Sequence, residues 1–228
     1  MNDGMDFLDI LASTLHDTKN SLAMISNTLA EIIAQQQGDS LSREFSVVQY
    51  EIKRLNHNQM RLLSLYKAER SQFAINIDYH SVGECIEDVV LQNEPIFSAK
   101  SIESEMDCSE TLFWAFDRSL ISGILDGVLN NVFRYTRDKV RVSARVEGKY
   151  LMLRIEDNGP GYPESMLLSG REGTLQKKTI DFNTGSMGLG LHFAQLVAES
   201  HKNKDSKGHI AIANGGTLGG GVFTLYIP

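Results

Sequence analysis

Apolar residues recur at Leu8, Leu11, Leu15, Leu22, Ile25, Leu29 and Ile32, three or four apart except where Thr18 falls on the stripe. After Gln35-Gln36-Gln37-Gly38-Asp39 the rhythm resumes as Leu41, Phe45, Val48, Ile52, Leu55, Leu62 and Leu65, with Gln59 at one seam position. This spacing lines one side of a helix, so the segment reads as two long helices joined by a short turn at Gly38. Two antiparallel helices with one apolar seam bury little by themselves. A second copy of the hairpin completes a four-helix bundle, and a homodimer is expected. Folding at Gly38 sets Thr18 opposite roughly Gln59, so the two polar breaks share one layer, level with His16, Asp17 and Asn20.

Residues 1–72 contain no Pro and two Gly, whereas the remainder holds all four Pro and the other Gly. The change divides the chain into a helical domain, 1–72, and an α/β domain, 73–228. In the second part Phe73–Asp78 alternates like a strand, and Ser81 caps a helix through Lys100. Strands are expected at Ile102–Met106 and Thr111–Phe116, then a helix capped by Asp117 and running to about Thr136. Val140–Val146 and Tyr150–Ile155 form a hairpin around Glu147-Gly148-Lys149. An irregular stretch from Asp157 to about Thr184 precedes a helix from Gly188 to His201 and strands at Gly208–Ala213 and Val222–Ile227. The order gives a mixed sheet with three helices, an α/β sandwich.

Charge and composition exclude several classes. With 22 Lys+Arg against 29 Asp+Glu the formal charge is −7, and nucleic acid, which needs clustered basic residues, is not an expected partner. The N-terminus has no basic segment of a secretory signal, and no apolar run approaches the ~18 residues of a membrane span. Two cysteines, Cys85 and Cys108, provide no disulfide framework. A reducing, cytoplasmic setting without membrane insertion is expected.

Four segments carry chemistry. In Leu15-His16-Asp17-Thr18-Lys19-Asn20, His16 lies one position round from the seam, toward solvent. An imidazole beside a carboxylate is a nucleophile with a base at hand, and helical spacing brings Asn20 within reach of both. The other five histidines, among them His57 across the turn and His201, read as ordinary surface or core residues. On the helix after Asp117, Asn131, Arg134 and Tyr135 share a face; they supply an oxygen for Mg²⁺, a guanidinium for phosphate and a ring to pack over a nucleotide. Asp157-Asn158-Gly159-Pro160-Gly161 follows a strand. Its glycines, Gly159 and Gly161, allow close approach of a ligand, and Asp157 can accept a hydrogen bond from an exocyclic amine. Gly185-Ser186-Met187-Gly188-Leu189-Gly190-Leu191 opens a helix, where free N–H groups favour phosphate.

Together and in this order, these segments resemble the core of a sensor histidine kinase. That core is a helical dimerisation and phosphotransfer domain followed by an ATP-binding domain of the Bergerat type. His16-Asp17-x-Lys19-Asn20 is similar to the phosphoacceptor box, and Asn131 with Arg134-Tyr135 to the N box. Asp157-x-Gly159-x-Gly161 is similar to the G1 box, and Gly185-x-x-Gly188-x-Gly190-Leu191 to the G2 box. Gly220 to Leu225 resembles the last glycine-rich strand, with Gly221 where the family often has Thr. The resemblance implies that His16 attacks the γ-phosphate of ATP with Asp17 as general base, and that Asn131 holds Mg²⁺. Asp157 would read the adenine amine, and Arg134, Mg²⁺ and backbone amides would stabilise charge. It implies phosphoryl transfer to an aspartate of a response regulator receiver domain, and, through Asn20, phosphatase activity toward that partner. Input would come from an upstream sensory partner or through the hairpin. Gly127 stands where related hydrolytic ATPases carry a catalytic Glu, which argues against a chaperone or mismatch-repair ATPase; Asp126 is a candidate substitute on the phosphate side. Phe182 is the nearest aromatic for an F box, and Arg171, Lys177 and Lys178 of the lid read as solvated loop charges. Two other functions stay open: a phosphotransfer or scaffold protein with a non-catalytic nucleotide domain, and a Bergerat-fold anti-sigma serine kinase.

Overall fold

The structure, a computed structural model, describes residues 39–69, 73–171 and 187–228 together with residues 18, 20, 22, 24 and 25. The chain divides into two compact units, Met1–Phe73 and Ala74–Pro228. In the first unit residues 18, 20, 22, 24 and 25 are helical, and a helix α1 runs over Asp39–Glu69. Along its apolar stripe Ile52 is buried, whereas Val48, Leu55 and Leu62 are exposed in the single chain. Thr18 is exposed and Gln59 half-buried. The turn at Gly38 lies outside the described residues.

The second unit is built on a five-stranded mixed sheet. Strands β1 (Asp78–Ser81) and β3 (Phe113–Phe116) pair as a separate antiparallel ribbon. The main sheet has the order β2 (Glu103–Asp107), β4 (Lys139–Glu147), β5 (Tyr150–Asp157), β9 (Gly221–Ile227), β8 (His209–Asn214), parallel only between β2 and β4. Two-residue strands β6 (Lys202–Asn203) and β7 (Ser206–Lys207) form a small pair that the sequence reading does not contain. The helices are α2 (Val82–Ala99), α3 (Arg118–Tyr135), α4 (Glu164–Arg171) and α5 (Met187–Ser200).

The period of two in β5 and β9 sends Leu151, Leu153, Ile155, Phe223, Leu225 and Ile227 to one side, all buried. Against the sheet pack α2, α3 and α5, and α3 buries Ile121, Ile124, Leu125 and Leu129 in the same core. At roughly 1.5–3 kcal/mol for each fully buried large aliphatic or aromatic side chain, this layer dominates the unit's stability. The opposite face carries Arg141, Ser143, Arg154, Glu156 and Thr224.

Capping sets the ends of α2 and α3. Ser81 Oγ accepts from the Glu84 N–H at 3.3 Å, and Asp117 Oδ1 accepts from the Leu120 N–H at 3.0 Å. Asp117 has two further partners: Oδ2 accepts from the Asn76 N–H at 2.8 Å, and its own N–H donates to His201 Nε2 at 3.0 Å.

Two expectations need correction. The strand expected over Phe73–Asp78 begins only at Asp78. Its partner β3 ends at Phe116, opposite Asp78, because Asp117 turns the chain into α3, and the Asn76 N–H is taken by the Asp117 carboxylate. The stretch after Asp157 is not wholly irregular, since it contains α4, so four helices rather than three are described in this unit. Pro163 just before the helix and Glu164 in its first turn are a helix-start signal, and the Pro163 carbonyl accepts from Met166 N–H at 2.9 Å.

Candidate functional site

A cavity of about 430 Å³ opens at the end of β5. One wall is α3, through Val128, Asn131, Val132 and Tyr135; the floor is Asp157; the rest is Pro160, Gly161, Tyr162, Pro163 and Gly221. Asn131 and Tyr135 reach it together because residues four apart lie one above the other on a helix. Arg134 does not line it. Its guanidinium is exposed, with its carbon 5.8 Å from the centre of the Tyr135 ring.

Asp157 is held from two directions. Its Oδ1 accepts from the Gly159 N–H at 2.6 Å and from the Gly221 N–H at 3.3 Å, and its carbonyl accepts from the Gly220 N–H at 3.0 Å. A Cβ on Gly221 would stand 2.8 Å from Asp157 Oδ2, closer than real side chains come, so the bare backbone keeps that oxygen clear. Charge-assisted acceptance of two backbone N–H groups leaves the carboxylate oriented, with capacity for a further donor.

Gly161 has φ +79°, a conformation costly for any residue with a Cβ, and lets the chain turn away from the strand. The turn is locked by Asn214. Its Oδ1 accepts from the Tyr162 N–H at 2.6 Å, while its Nδ2 donates to the Tyr162 carbonyl at 2.8 Å. Tyr162 thereby becomes a fixed wall. Burial, with the neighbouring Asp157 charge adding to it, pushes the phenol well above its ordinary pKa, so the ring stays neutral. The motif reading stops at Gly161 and misses Tyr162; the available signal was a tyrosine directly after Asp-Asn-Gly-Pro-Gly.

The remaining candidates fall elsewhere. Gly188, Gly190 and Leu191 lie in the first turns of α5; Gly190 and Leu191 are outside the cavity lining, and Leu191 is buried in the core. Gly159 contacts the site through its N–H to Asp157, and an added Cβ there would collide with the Tyr135 carbonyl. Asp126, the candidate substitute on the phosphate side, is outside the cavity lining. It is buried, accepting from Asn93 Nδ2 at 2.7 Å and Asn130 Nδ2 at 3.1 Å, because its helix position turns it toward α2. Asn20 is exposed on its helix. His16, Asp17, Lys177, Lys178, Phe182 and Gly185 lie outside the described residues, as does the side chain of Arg171. His201, read as an ordinary histidine, is a buried core residue.

Residues 116–228 match the family described as histidine kinase-, DNA gyrase B-, and HSP90-like ATPase. The sensor protein PhoQ of Escherichia coli K12 is 24% identical over 196 residues, 85% of this chain and 39% of that protein. The virulence sensor histidine kinase PhoQ of Salmonella typhimurium LT2 is 22% identical over 218 residues, 92% of this chain and 41% of its own length. The chain thus spans about two fifths of the length of these curated relatives. Among solved structures, Acinetobacter baumannii histidine kinase AdeS superposes with a TM-score of 0.61 at 22% identity, covering 91% of this chain and 95% of that one. Full-length ShkA in complex with AMPPNP gives 0.64 at 16% identity, covering 96% and 45%. At these identities the structures establish the fold.

Proposed function

We propose that this chain, whose residues 116–228 match the histidine kinase-, DNA gyrase B- and HSP90-like ATPase family, is a sensor histidine kinase core and acts as an ATP-dependent protein-histidine kinase of a two-component system. The observation that carries this reading is the cavity itself. It joins a fixed carboxylate, Asp157, to an aromatic and a carboxamide, Tyr135 and Asn131, in a concave, largely apolar site. A purine would lie between the α3 wall and Tyr162, its amino group donating to Asp157. The ShkA relative, solved with AMPPNP, supports a nucleotide as the occupant.

Asn131 presents one neutral oxygen donor, which suits a magnesium ion whose remaining ligands are phosphate oxygens and water. When bound, that ion would neutralise phosphate charge. Arg134, exposed beside Tyr135, is free of the cavity wall and available to phosphates extending from it, and Gly185, Gly188 and Gly190 would offer backbone N–H groups at the start of α5.

In the phosphotransfer step a nitrogen of His16 forms a bond to the γ-phosphorus of ATP as the bond to the β-phosphate oxygen breaks. ADP leaves, and Asp17 takes up the imidazole proton. The phosphoryl group then passes to an aspartate of a response regulator receiver domain, and Asn20 orients the water that hydrolyses that phosphoaspartate to free aspartate and inorganic phosphate in the phosphatase function. The exposed Val48, Leu55 and Leu62 of α1 fit a homodimer that covers them in a four-helix bundle. No helix among the described residues is long and apolar enough to cross a membrane. We assign the core to the cytoplasm, with its input from a sensory partner or segment.

Incubation of the purified chain with Mg²⁺ and γ-labelled ATP tests the reading. Acid-labile, alkali-stable label that is absent from His16→Ala is expected. ATP binding without label would instead indicate a phosphotransfer or scaffold protein, and acid-stable label a serine kinase.

A further inference from the structure

Consecutive residues of a strand face opposite sides of a sheet. At the end of β5, Asp157 turns toward the cavity and Glu156 turns to the face that carries Arg141 and Arg154. Glu156 is 3% exposed although it lies outside the cavity lining. Its Oε1 accepts from Arg154 Nη2 at 2.9 Å and from the Thr217 N–H at 2.9 Å; its Oε2 accepts from Thr217 Oγ1 at 3.3 Å. Arg141 Nη1 donates to the same hydroxyl at 3.3 Å.

Thr217 belongs to the loop between β8 and β9, where Gly215, Gly216, Gly219 and Gly220 leave almost no side chains. Packing cannot hold such a loop, so hydrogen bonds must. Its near end rests on Glu156 so closely that a Cβ on Gly216 would collide with Oε1. Its far end is the pair of N–H groups, from Gly220 and Gly221, that fasten the carbonyl and carboxylate of Asp157. The loop therefore straps the end of β5 from one sheet face to the other.

We propose that Glu156 is a positioning residue for the nucleotide base: by fixing Thr217 on the outer face it sets the strap whose other end orients the Asp157 carboxylate. This rests on the nucleotide reading above. A positioning role and a merely stabilising role differ in one measurable quantity. Loss of folded protein weakens every nucleotide alike, whereas a misplaced Asp157 specifically erodes the preference for adenine over guanine.

Affinities of the full chain for ADP and GDP, by titration calorimetry, give that ratio for the wild type, Glu156→Ala, Glu156→Gln and Thr217→Val. The ratio of GDP to ADP dissociation constants is expected to fall at least about fivefold in Glu156→Ala and by a smaller factor in Thr217→Val. It should stay within about twofold of wild type in Glu156→Gln, which keeps an acceptor for the Thr217 N–H. A wild-type preference that survives unchanged in Glu156→Ala and Thr217→Val overturns the positioning role alone. If Glu156→Ala fails to fold because Arg154 is left without its counter-charge, Thr217→Val decides by the same criterion. A wild-type chain that binds neither nucleotide, or both alike, overturns the nucleotide reading and the proposal with it.

Discussion

His201 uses both ring nitrogens inside the protein. Nε2 accepts the Asp117 N–H at 3.0 Å and Nδ1 lies 2.8 Å from the Val197 carbonyl, so the neutral ring carries its proton on Nδ1. Burial, the largest cause, lowers the imidazole pKa from 6.5, against smaller raising effects of the Val197 carbonyl and of Asp117. The unfolded chain therefore binds the proton first. The stability this residue lends is complete above about 6.5 and drains away as pH falls from there through the lowered native value, at up to about 1.4 kcal/mol per pH unit. Thermal melts should shift down on acidification below 6.5, and His201→Gln should be less stable at pH 8 but flatter across that window. An equal acid slope in the variant would place the effect on other groups. Asp157 shows a different use of a polar side chain: its backbone donors fix orientation, and the absence of a side chain at Gly221 keeps Oδ2 open.

The elements around the site are joined by single side chains at their ends. Asn158, the first residue beyond β5, accepts at Oδ1 from Thr136 Oγ1 at 2.9 Å and from the N–H groups of Arg137, Asp138 and Lys139 at 3.2, 3.2 and 3.1 Å. Its Nδ2 donates to Asp138 Oδ1 at 2.7 Å. One carboxamide thus closes the turn from α3 into β4 and ties the helix bearing Asn131 and Tyr135 to the strand bearing Asp157. Asn158→Ala should cost about 1–3 kcal/mol in urea unfolding. Asn158→Asp keeps the accepting oxygen but sets a second carboxylate against Asp138; it should lose stability at pH 7 and regain it when combined with Asp138→Asn. Failure of the second substitution to restore stability would show that the Asn158–Asp138 contact is not what matters. At this scale α3, β4 and β5 were legible in the sequence, because the Asp117 cap and the turn at Glu147-Gly148-Lys149 announce them. The short β1 and the helix α4 were not. Pairing length in β1 is set by where its partner ends, and the helix start at Pro163 is masked among turn residues.

At the scale of the whole molecule, unit 74–228 contains a closed set of buried side chains between one sheet face and α2, α3 and α5. Expressed alone, residues 74–228 should unfold cooperatively and bind ADP within about threefold of the full chain, as expected of a domain with its own core. A fragment without a cooperative melt would show that its core depends on the helical part. The Asn131 and Asp157 segments were readable from residue types alone, since Asp-x-Gly-x-Gly after a strand and Asn-x-x-Arg-Tyr on a helix are local patterns. Local periodicity likewise determined the helix over Asp39–Glu69, the strands of the hairpin and the capped helices. Only the tertiary structure decided that Tyr162 and Asn131 share a cavity with Asp157, that Arg134, Gly190 and Leu191 do not line it, and that Asp126 belongs to the core. It also brought Glu156 and Thr217, 61 positions apart, into contact beneath a glycine strap. Periodicity registers which face a residue takes within its own element. Which other element meets that face depends on strand order and on long-range burial, and no single stretch of the chain contains that information.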